Sequence, residues 1–272
     1  MRYLVLTIFI LISAQVQALT VLSINTENFW DEHAPHEGRI GASIRNQISS
    51  AQVEAEAKSI AEVIIKHDAD IVGLIEVEGL AVVKRILSYL PNEWSIAFKK
   101  GRDTYTGQDV ALLTRLGVLK HTVSTFPSIK GRYGRVNVRP SKVLGVGLVA
   151  SSGERIYVAV THLISKRRNN DDKRAAQANA VARAVVNHGA KYRHRIVMGD
   201  LNDTPGSQTL NQLTDSGLIQ VPNKRAYSYI YRNKRMLIDH ILISPSLIKD
   251  ARFSAFDISE FSDHRAVKLI LP

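Results

Sequence analysis

Short apolar runs that stop at a polar residue recur along this chain and restrict it to a sheet-based fold. Val21-Leu22-Ser23-Ile24 leads into Asn25 and Glu27, and Ile71-Val72-Gly73-Leu74-Ile75 leads into Glu76. Ile156-Tyr157-Val158-Ala159-Val160-Thr161 leads into His162, and Ile196-Val197-Met198-Gly199 leads into Asp200 and Asn202. Two runs carry their polar residues in front: Asp239-His240 opens Ile241-Leu242-Ile243, and Asp263-His264 precedes Val267-Lys268-Leu269-Ile270-Leu271. Runs this short and rich in Val and Ile read as buried strands. Strands are expected at 20–25, 70–75, 94–98, 110–115, 142–149, 155–161, 195–199, 227–231, 238–243 and 265–271. Between them lie segments of helical period. Val53, Ala57, Ile60 and Ile64 form one, with Ser49 or Ser50 as N-cap; Leu80 to Leu90, Asp172 to Asn187 and Ser207 to Asp215 are the others. Strands alternating with helices give an α/β fold. The longest irregular stretches, Asp31 to Gln47 and His121 to Arg139, are expected to be binding loops.

Sheet proteins gather strand ends, so these polar residues are expected in one site. On an extended backbone, side chains at i and i+2 point to the same side, which aims Asp200 and Asn202 at one point past their strand. A carboxylate takes a proton from water or holds a cation, and a carboxamide donates to a developing oxyanion. That pairing suits phosphate-ester hydrolysis, although Gly-Asp after a strand is also plain turn chemistry. Oxygen ligands such as Glu76 and Asp263 favour Mg²⁺, with Mn²⁺ or Ca²⁺ as alternatives, over zinc. His264 donates to phosphate when protonated and acts as a base when neutral, and it needs a carboxylate to orient it.

Seven segments, "LSINTENFW", "DIVGLIEVEG", "GQDVALLTR", "VAVTHL", "VMGDLNDTP", "LIDHILIS" and "SDHRAV", run in this order from Leu22 to Val267. In wording and order the chain resembles the endonuclease/exonuclease/phosphatase superfamily, and within it the bacterial extracellular nucleases. The resemblance implies a four-layer α/β sandwich of two packed mixed sheets flanked by helices. It implies a metal held by Glu76 and Asn25, with Asp263 as a further metal-side carboxylate. It casts Asp200 as the residue that aligns or deprotonates water and Asn202 as the amide on the scissile phosphate. It pairs Asp239 with His264, and Asp109 with His162 as in the deoxyribonuclease-like branch. His240 is expected to pack rather than react. His33 and His36, with Asp31, Glu32 and Glu37, are a weaker metal candidate.

The formal charge of +11 attracts polyanions or anionic surfaces. The cations cluster at Lys99-Lys100-Arg102, Lys130 to Lys142, Lys166-Arg167-Arg168, Lys173-Arg174 and Arg232-Lys234-Arg235. Arg135, Arg139, Lys166 and Arg167 are the expected phosphate contacts, and Tyr105, Tyr133, Tyr229 and Tyr231 lie near these clusters, able to pack on bases or into a core. Arg2 and the apolar stretch Leu4 to Ile12, followed by Val16-Gln17-Ala18, read as a cleaved signal peptide over residues 1–18, leaving 19–272 as the catalytic domain of a secreted or periplasmic monomer. With no cysteine there is no disulfide framework, lipoprotein anchor or thiolate metal site. The expected activity is an endo-acting, metal-dependent nuclease, on DNA ahead of RNA. A sphingomyelinase-like or inositol-phosphate hydrolase is the alternative enzyme. A catalytically silent basic protein that binds nucleic acid is the alternative from another class, disfavoured because binding alone needs no metal carboxylates.

Overall fold

A computed structural model describes residues 18–33, 38–41, 48–167 and 169–272. Two six-stranded mixed sheets stack face to face. The first runs in the order β15 (Arg252–Asp257), β16 (Arg265–Leu271), β1 (Leu19–Phe29), β2 (Ile71–Val77), β4 (Asp109–Thr114), β3 (Ser95–Ala97). The second runs β11 (Ile219–Gln220), β14 (Asp239–Ile243), β10 (His194–Asp200), β9 (Arg155–His162), β8 (Lys142–Val149), β5 (Gly117–Ser124). Helices α2 (Ser50–Lys66) and α3 (Leu80–Ser88) cover the first sheet, and α4 (Asp171–Gly189) and α5 (Gln208–Thr214) cover the second. A short α1 spans Gly38–Gly41. The expected four-layer sandwich is therefore the fold.

Strand parity builds the three apolar layers. Val21, Ile71, Ile75, Val110 and Leu112 meet Leu144, Val146, Val158, Val160, Ile196, Met198, Ile241 and Ile243 between the sheets. The alternate residues Leu22, Ile24, Val72, Leu74, Ala111 and Leu113 pack on Val53, Ala57, Ile60 and Ile64 of α2 and Val82, Val83 and Ile86 of α3. Val143, Tyr157, Ala159, Val197 and Leu242 pack on α4 and α5. Gly73 lets the sheets approach, since a Cβ there would lie 2.9 Å from the Met198 sulfur. Helix α2 starts at a capping box: Ser49 accepts from the Gln52 amide, and Gln52 returns the contact to the Ser49 amide.

Several stretches differ from expectation, and β5, β11 and β15 are strands where none was expected. Residues 121–139 hold the end of β5 and a two-stranded ribbon, β6 (Gly131–Tyr133) and β7 (Val136–Val138), which lies on α4. Its strands are too short to carry a readable period. Residues 229–231 belong to a second ribbon, β12 (Tyr229–Tyr231) and β13 (Lys234–Met236), outside both sheets. The expected signal peptide lies outside the described residues, apart from Ala18. Among the described residues no helix is long and apolar enough to cross a membrane.

Candidate active site

Strand direction explains how distant residues meet. β1 and β2 are parallel, as are β9 and β10, and their C-terminal ends share one rim. Antiparallel neighbours bring their N-terminal residues to that rim: Asp200 stands opposite both His162 and Asp239, and Lys142 stands opposite His162. Asn25, Asp200, His162 and Asp239 share the parity of residues buried between the sheets. Glu76 does not. A register irregularity between Ile75 and Val77, with Glu76 at φ 69°, turns its side chain from the helix side toward this cleft. Glu27 (φ 49°) and Asn202 (φ 52°) are also left-handed, so three side chains of the site are presented from backbone conformations that disfavour a side chain.

His264 and Asp239 form the central pair, with Nδ1 of His264 2.7 Å from Asp239 Oδ2. Burial works against the imidazolium, but Asp239, then Asp200 and Asp263, push its pKa up to about 10. Asp200 is pushed up to about 8 by burial and by the Asp239 charge. Glu76 is also raised by burial, with Lys142 and His264 pulling the other way. Nε2 of His162 lies 3.7 Å from both Glu76 Oε1 and Asp200 Oδ2. Burial, Lys142 and His264 together hold His162 neutral. Asn25 sits between the carboxylates: its amide donates to Asp200 Oδ2 at 3.2 Å, while its carbonyl accepts from the Glu27 amide. Glu27 in turn accepts from the Asp263 amide at 2.7 Å, tying the end of β1 to the His264 loop. Asp263 itself is half exposed, with Oδ1 3.8 Å from His264 Nε2.

Three expectations change. Asp109 does not bond His162. Its Oδ1 accepts from the Gly101 amide at 2.6 Å, and its Oδ2 and the His162 Nδ1 are both buried without a hydrogen-bond partner. Parity is the reason: Asp109 shares the helix-side face of β4 with Ala111 and Leu113, whereas His162 shares the inter-sheet face of β9 with Val158 and Val160. Asp109 instead lines a cavity of about 330 Å³ with Asp31, His33, Glu78, Phe98 and Lys100. Asn202 is not aimed by strand alternation, because β10 ends at Asp200. A turn places it: its amide N–H donates to Asp200 Oδ1 at 2.8 Å, and its side-chain amide donates to the Leu163 carbonyl at 2.9 Å, leaving its second amide hydrogen for an oxyanion. Lys166 is committed to Asp203 at 2.7 Å rather than standing free for phosphate.

Arg167 lies on the exposed rim, close enough to act on the Tyr229 hydroxyl. Arg135 and Arg139 are exposed around the β6–β7 ribbon on α4. Arg168, His36 and Glu37 fall outside the described residues. His240 faces the helices: it bonds the Asp203 carbonyl and the Gln220 amide, each at 2.8 Å. Sequence reasoning missed Lys142, which is buried 3.3 Å from Asp103, and Gln108, which donates to Glu76 at 3.4 Å. Both lie at strand starts whose register no local pattern reveals. It also missed Arg174, fully buried on α4 and paired with Asp203 at 3.1 Å.

The donor set fits a divalent cation. Asp200, Asp239 and His264 each offer one ligand atom within 4.8 Å of the others, and Oδ1 of Asp239 is buried without a partner. Asp200 and Glu76 are held above the usual carboxylate range, the state a cation would relieve. His264, carrying its proton, is the poorest ligand of the group, so the carboxylate oxygens and Asn25 would hold the ion, a set suited to hard cations. Such an ion supplies charge neutralisation at a phosphoryl oxygen.

No curated protein sequence matches the chain. Solved structures do. An endonuclease/exonuclease/phosphatase family protein from Leptotrichia buccalis C-1013-b superposes with a TM-score of 0.65 at 11% identity, covering 93% of this chain and 99% of that one. A mannosyl-6-phosphatase from Bacteroides thetaiotaomicron gives 0.62 at 18% identity, covering 93% and 100%. The human Nocturnin catalytic domain with bound sulfate gives 0.59 at 18% identity, covering 94% of each. These likenesses show the fold. The family model for Endonuclease/Exonuclease/phosphatase matches residues 22–264, a span that takes in every strand end of the cleft, and the chain belongs to that family of hydrolases.

Proposed function

We propose that this protein is an exported, metal-dependent phosphodiesterase that cleaves nucleic acid, DNA first, at internal bonds. The observation that carries the reading is the His264–Asp239 pair, its imidazole protonated at neutral pH, beside buried Asp200 and Glu76. In this reading His264 donates from Nε2 to a non-bridging phosphate oxygen, and Asp239 holds the ring by Nδ1. Asp200 accepts the proton of the attacking water. Asn202 donates its remaining amide hydrogen to the developing oxyanion. His162, neutral between Glu76 and Asp200, is placed to take or return a proton on the leaving-group side. The polymer preference rests on the net charge of +11 and on Arg167 beside the cleft. The deciding experiment is one panel: supercoiled DNA, linear DNA, RNA, sphingomyelin and an inositol phosphate, each with Mg²⁺, Mn²⁺ or Ca²⁺ and with chelator. Turnover of sphingomyelin or inositol phosphate without turnover of DNA would replace the nuclease reading.

Chelator should abolish turnover, and excess Mg²⁺ or Mn²⁺ should restore it. Glu76→Gln should move half-activation to an ion concentration roughly tenfold higher, the scale of losing one ionic contact. A variant titrating with Mg²⁺ like the wild type would remove Glu76 from the metal site. Export rests on Arg2 and the apolar Leu4 to Ile12 segment. N-terminal sequencing of the exported protein should read from Leu19, and a chain beginning at Met1 would refute the cleavage.

A further inference from the structure

The β12–β13 ribbon, Tyr229 to Met236, rises directly from the catalytic pair. The Tyr229 ring packs on the His264 ring at a centroid distance of 4.8 Å. At the ribbon's root the buried Ser228 hydroxyl accepts from the amides of Ile238 and Asp239, at 3.0 and 2.9 Å. The Ser228 carbonyl accepts from the Arg265 amide at 2.7 Å. Tyr227 lies between two guanidinium groups, those of Arg235 and Arg265, each 4.7 Å from its ring. The ribbon is thus fastened to the residues that flank both Asp239 and His264.

Its outer part is solvent-facing and has chemistry of its own. Tyr231 is 51% exposed, Ile230 is 52% exposed, and Arg232, Lys234 and Arg235 are all exposed. Tyr231 pairs with Lys234, and Tyr229 with Met236. Period-two alternation then puts Tyr229, Tyr231, Lys234 and Met236 on one face, so the face that starts on His264 continues outward to an aromatic ring and a cation. Two residues along a strand is roughly 7 Å. Arg232 and Asn233 close the turn with φ of 46° and 64°. A two-residue turn of this hand favours asparagine or glycine, and an arginine there is held in a costly conformation, stacked over Tyr231 at 5.2 Å. The stack offsets some of that cost, and the turn leaves the cation exposed at the ribbon's tip.

We propose that this ribbon enters a groove of duplex DNA beside the scissile phosphate, with Tyr231 against the sugars and Arg232 and Lys234 on phosphates. The inference rests on the nuclease reading above and deepens it. A two-stranded ribbon is an element a duplex groove admits. The three cations complement a polyanion. A bilayer is the poorer partner, because the two exposed apolar side chains, Ile230 and Tyr231, point to opposite faces and give the ribbon no apolar side to insert.

The test is a triple variant of the full chain, Tyr231→Ser, Arg232→Asn and Lys234→Ser, in which asparagine keeps the turn. Wild type and variant are compared, with Mg²⁺, on duplex DNA, single-stranded DNA and bis(p-nitrophenyl) phosphate, after matched thermal melts. The ratio of kcat/KM on duplex to that on the small diester should fall at least about tenfold, chiefly through KM, and the log–log salt slope of duplex binding should flatten by about two. An unaltered ratio overturns the proposal. A loss as large on single strands as on duplex overturns the groove. Binding to phosphatidylserine vesicles that the variant loses, with duplex kinetics intact, assigns the ribbon to membranes instead. A wild type that cleaves the small diester but no nucleic acid fails the nuclease reading itself, a result recognisable without the variant.

Discussion

Asp200→Asn is expected to lower kcat by about a hundredfold or more while making the metal-free protein harder to unfold. Asp200 is 2% exposed, and burial together with Asp239 pushes its pKa up to about 8. In an unfolded chain the same carboxyl ionises at its ordinary value, so the folded state favours the protonated form. Ionisation therefore costs stability progressively as pH rises from the ordinary carboxylate range toward 8. Asparagine removes that cost, and melting in chelator at pH 8 should rise. His264→Ala should lose turnover on the same scale but should lose stability too, because it leaves Asp239, 1% exposed, without the imidazolium. The His264 contribution has the opposite pH sense: it is complete below the ordinary histidine pKa of 6.5 and is lost as pH climbs to about 10. With the cation relieving Asp200, the acid limb of the wild-type rate should lie below pH 8, and the rate should hold until His264 deprotonates. A rate that instead rises as His264 loses its proton would mean that His264 works as the neutral base, and wild-type turnover by a folded Asp200→Asn variant would remove Asp200 from the chemistry.

Arg174→Met is expected to cost about 3–5 kcal/mol of unfolding free energy, the scale of breaking a buried ion pair from one side. Arg174 is fully buried, and its Nε and Nη2 donate to Asp203 Oδ2 at 3.2 and 3.1 Å. Thr209 donates to the same oxygen at 2.8 Å, and Lys166 holds the other at 2.7 Å. Burial pushes the Asp203 carboxyl up, but Lys166, Thr209 and Arg174 together hold it below the usual range. Its contribution is therefore present at neutral pH and lost only as acid reaches its lowered pKa. Asp203 follows Asn202 on the turn, so this pairing fixes the loop that presents the oxyanion amide to the helix layer behind it. Adding Asp203→Asn to Arg174→Met should recover part of the loss, because the buried carboxylate that lost its guanidinium is then neutral. Denaturant unfolding of the two variants checks both expectations, and an Arg174→Met variant as stable as wild type would mean that Lys166 alone suffices for Asp203.

Much of the scaffold was legible in the residues. The run Ile71 to Ile75 is a strand because Val and Ile fit a two-sided buried surface, and it forms β2. Ser49 or Ser50 was the expected cap of α2, and Ser49 is the one that caps it. The position of the site was legible too, since apolar runs ending in Asn25, Glu76, His162 and Asp200 can share a rim only if their strands run parallel in pairs, as they do. Some strands were not legible: β6, β7 and β13 have three residues each, too few for a period to register, and β15 was not expected either.

The sequence by itself determined the candidate site residues and most strands of the two sheets, because hydrophobic periodicity and side-chain type are local properties. Only the tertiary structure decided which face each side chain takes and whom it meets. Asp109 and His162 look like partners along the chain, yet β4 and β9 present them to different layers. Glu76 has the wrong parity for the cleft and reaches it through one left-handed residue at a register break. Lys142 lies among ordinary surface cations in the sequence and becomes a buried neighbour of His162 because β8 pairs with β9 in that register. Parity, bulges and register depend on the pairing of strands dozens of residues apart, and a shift of one residue would turn each of these groups to the opposite face of its sheet.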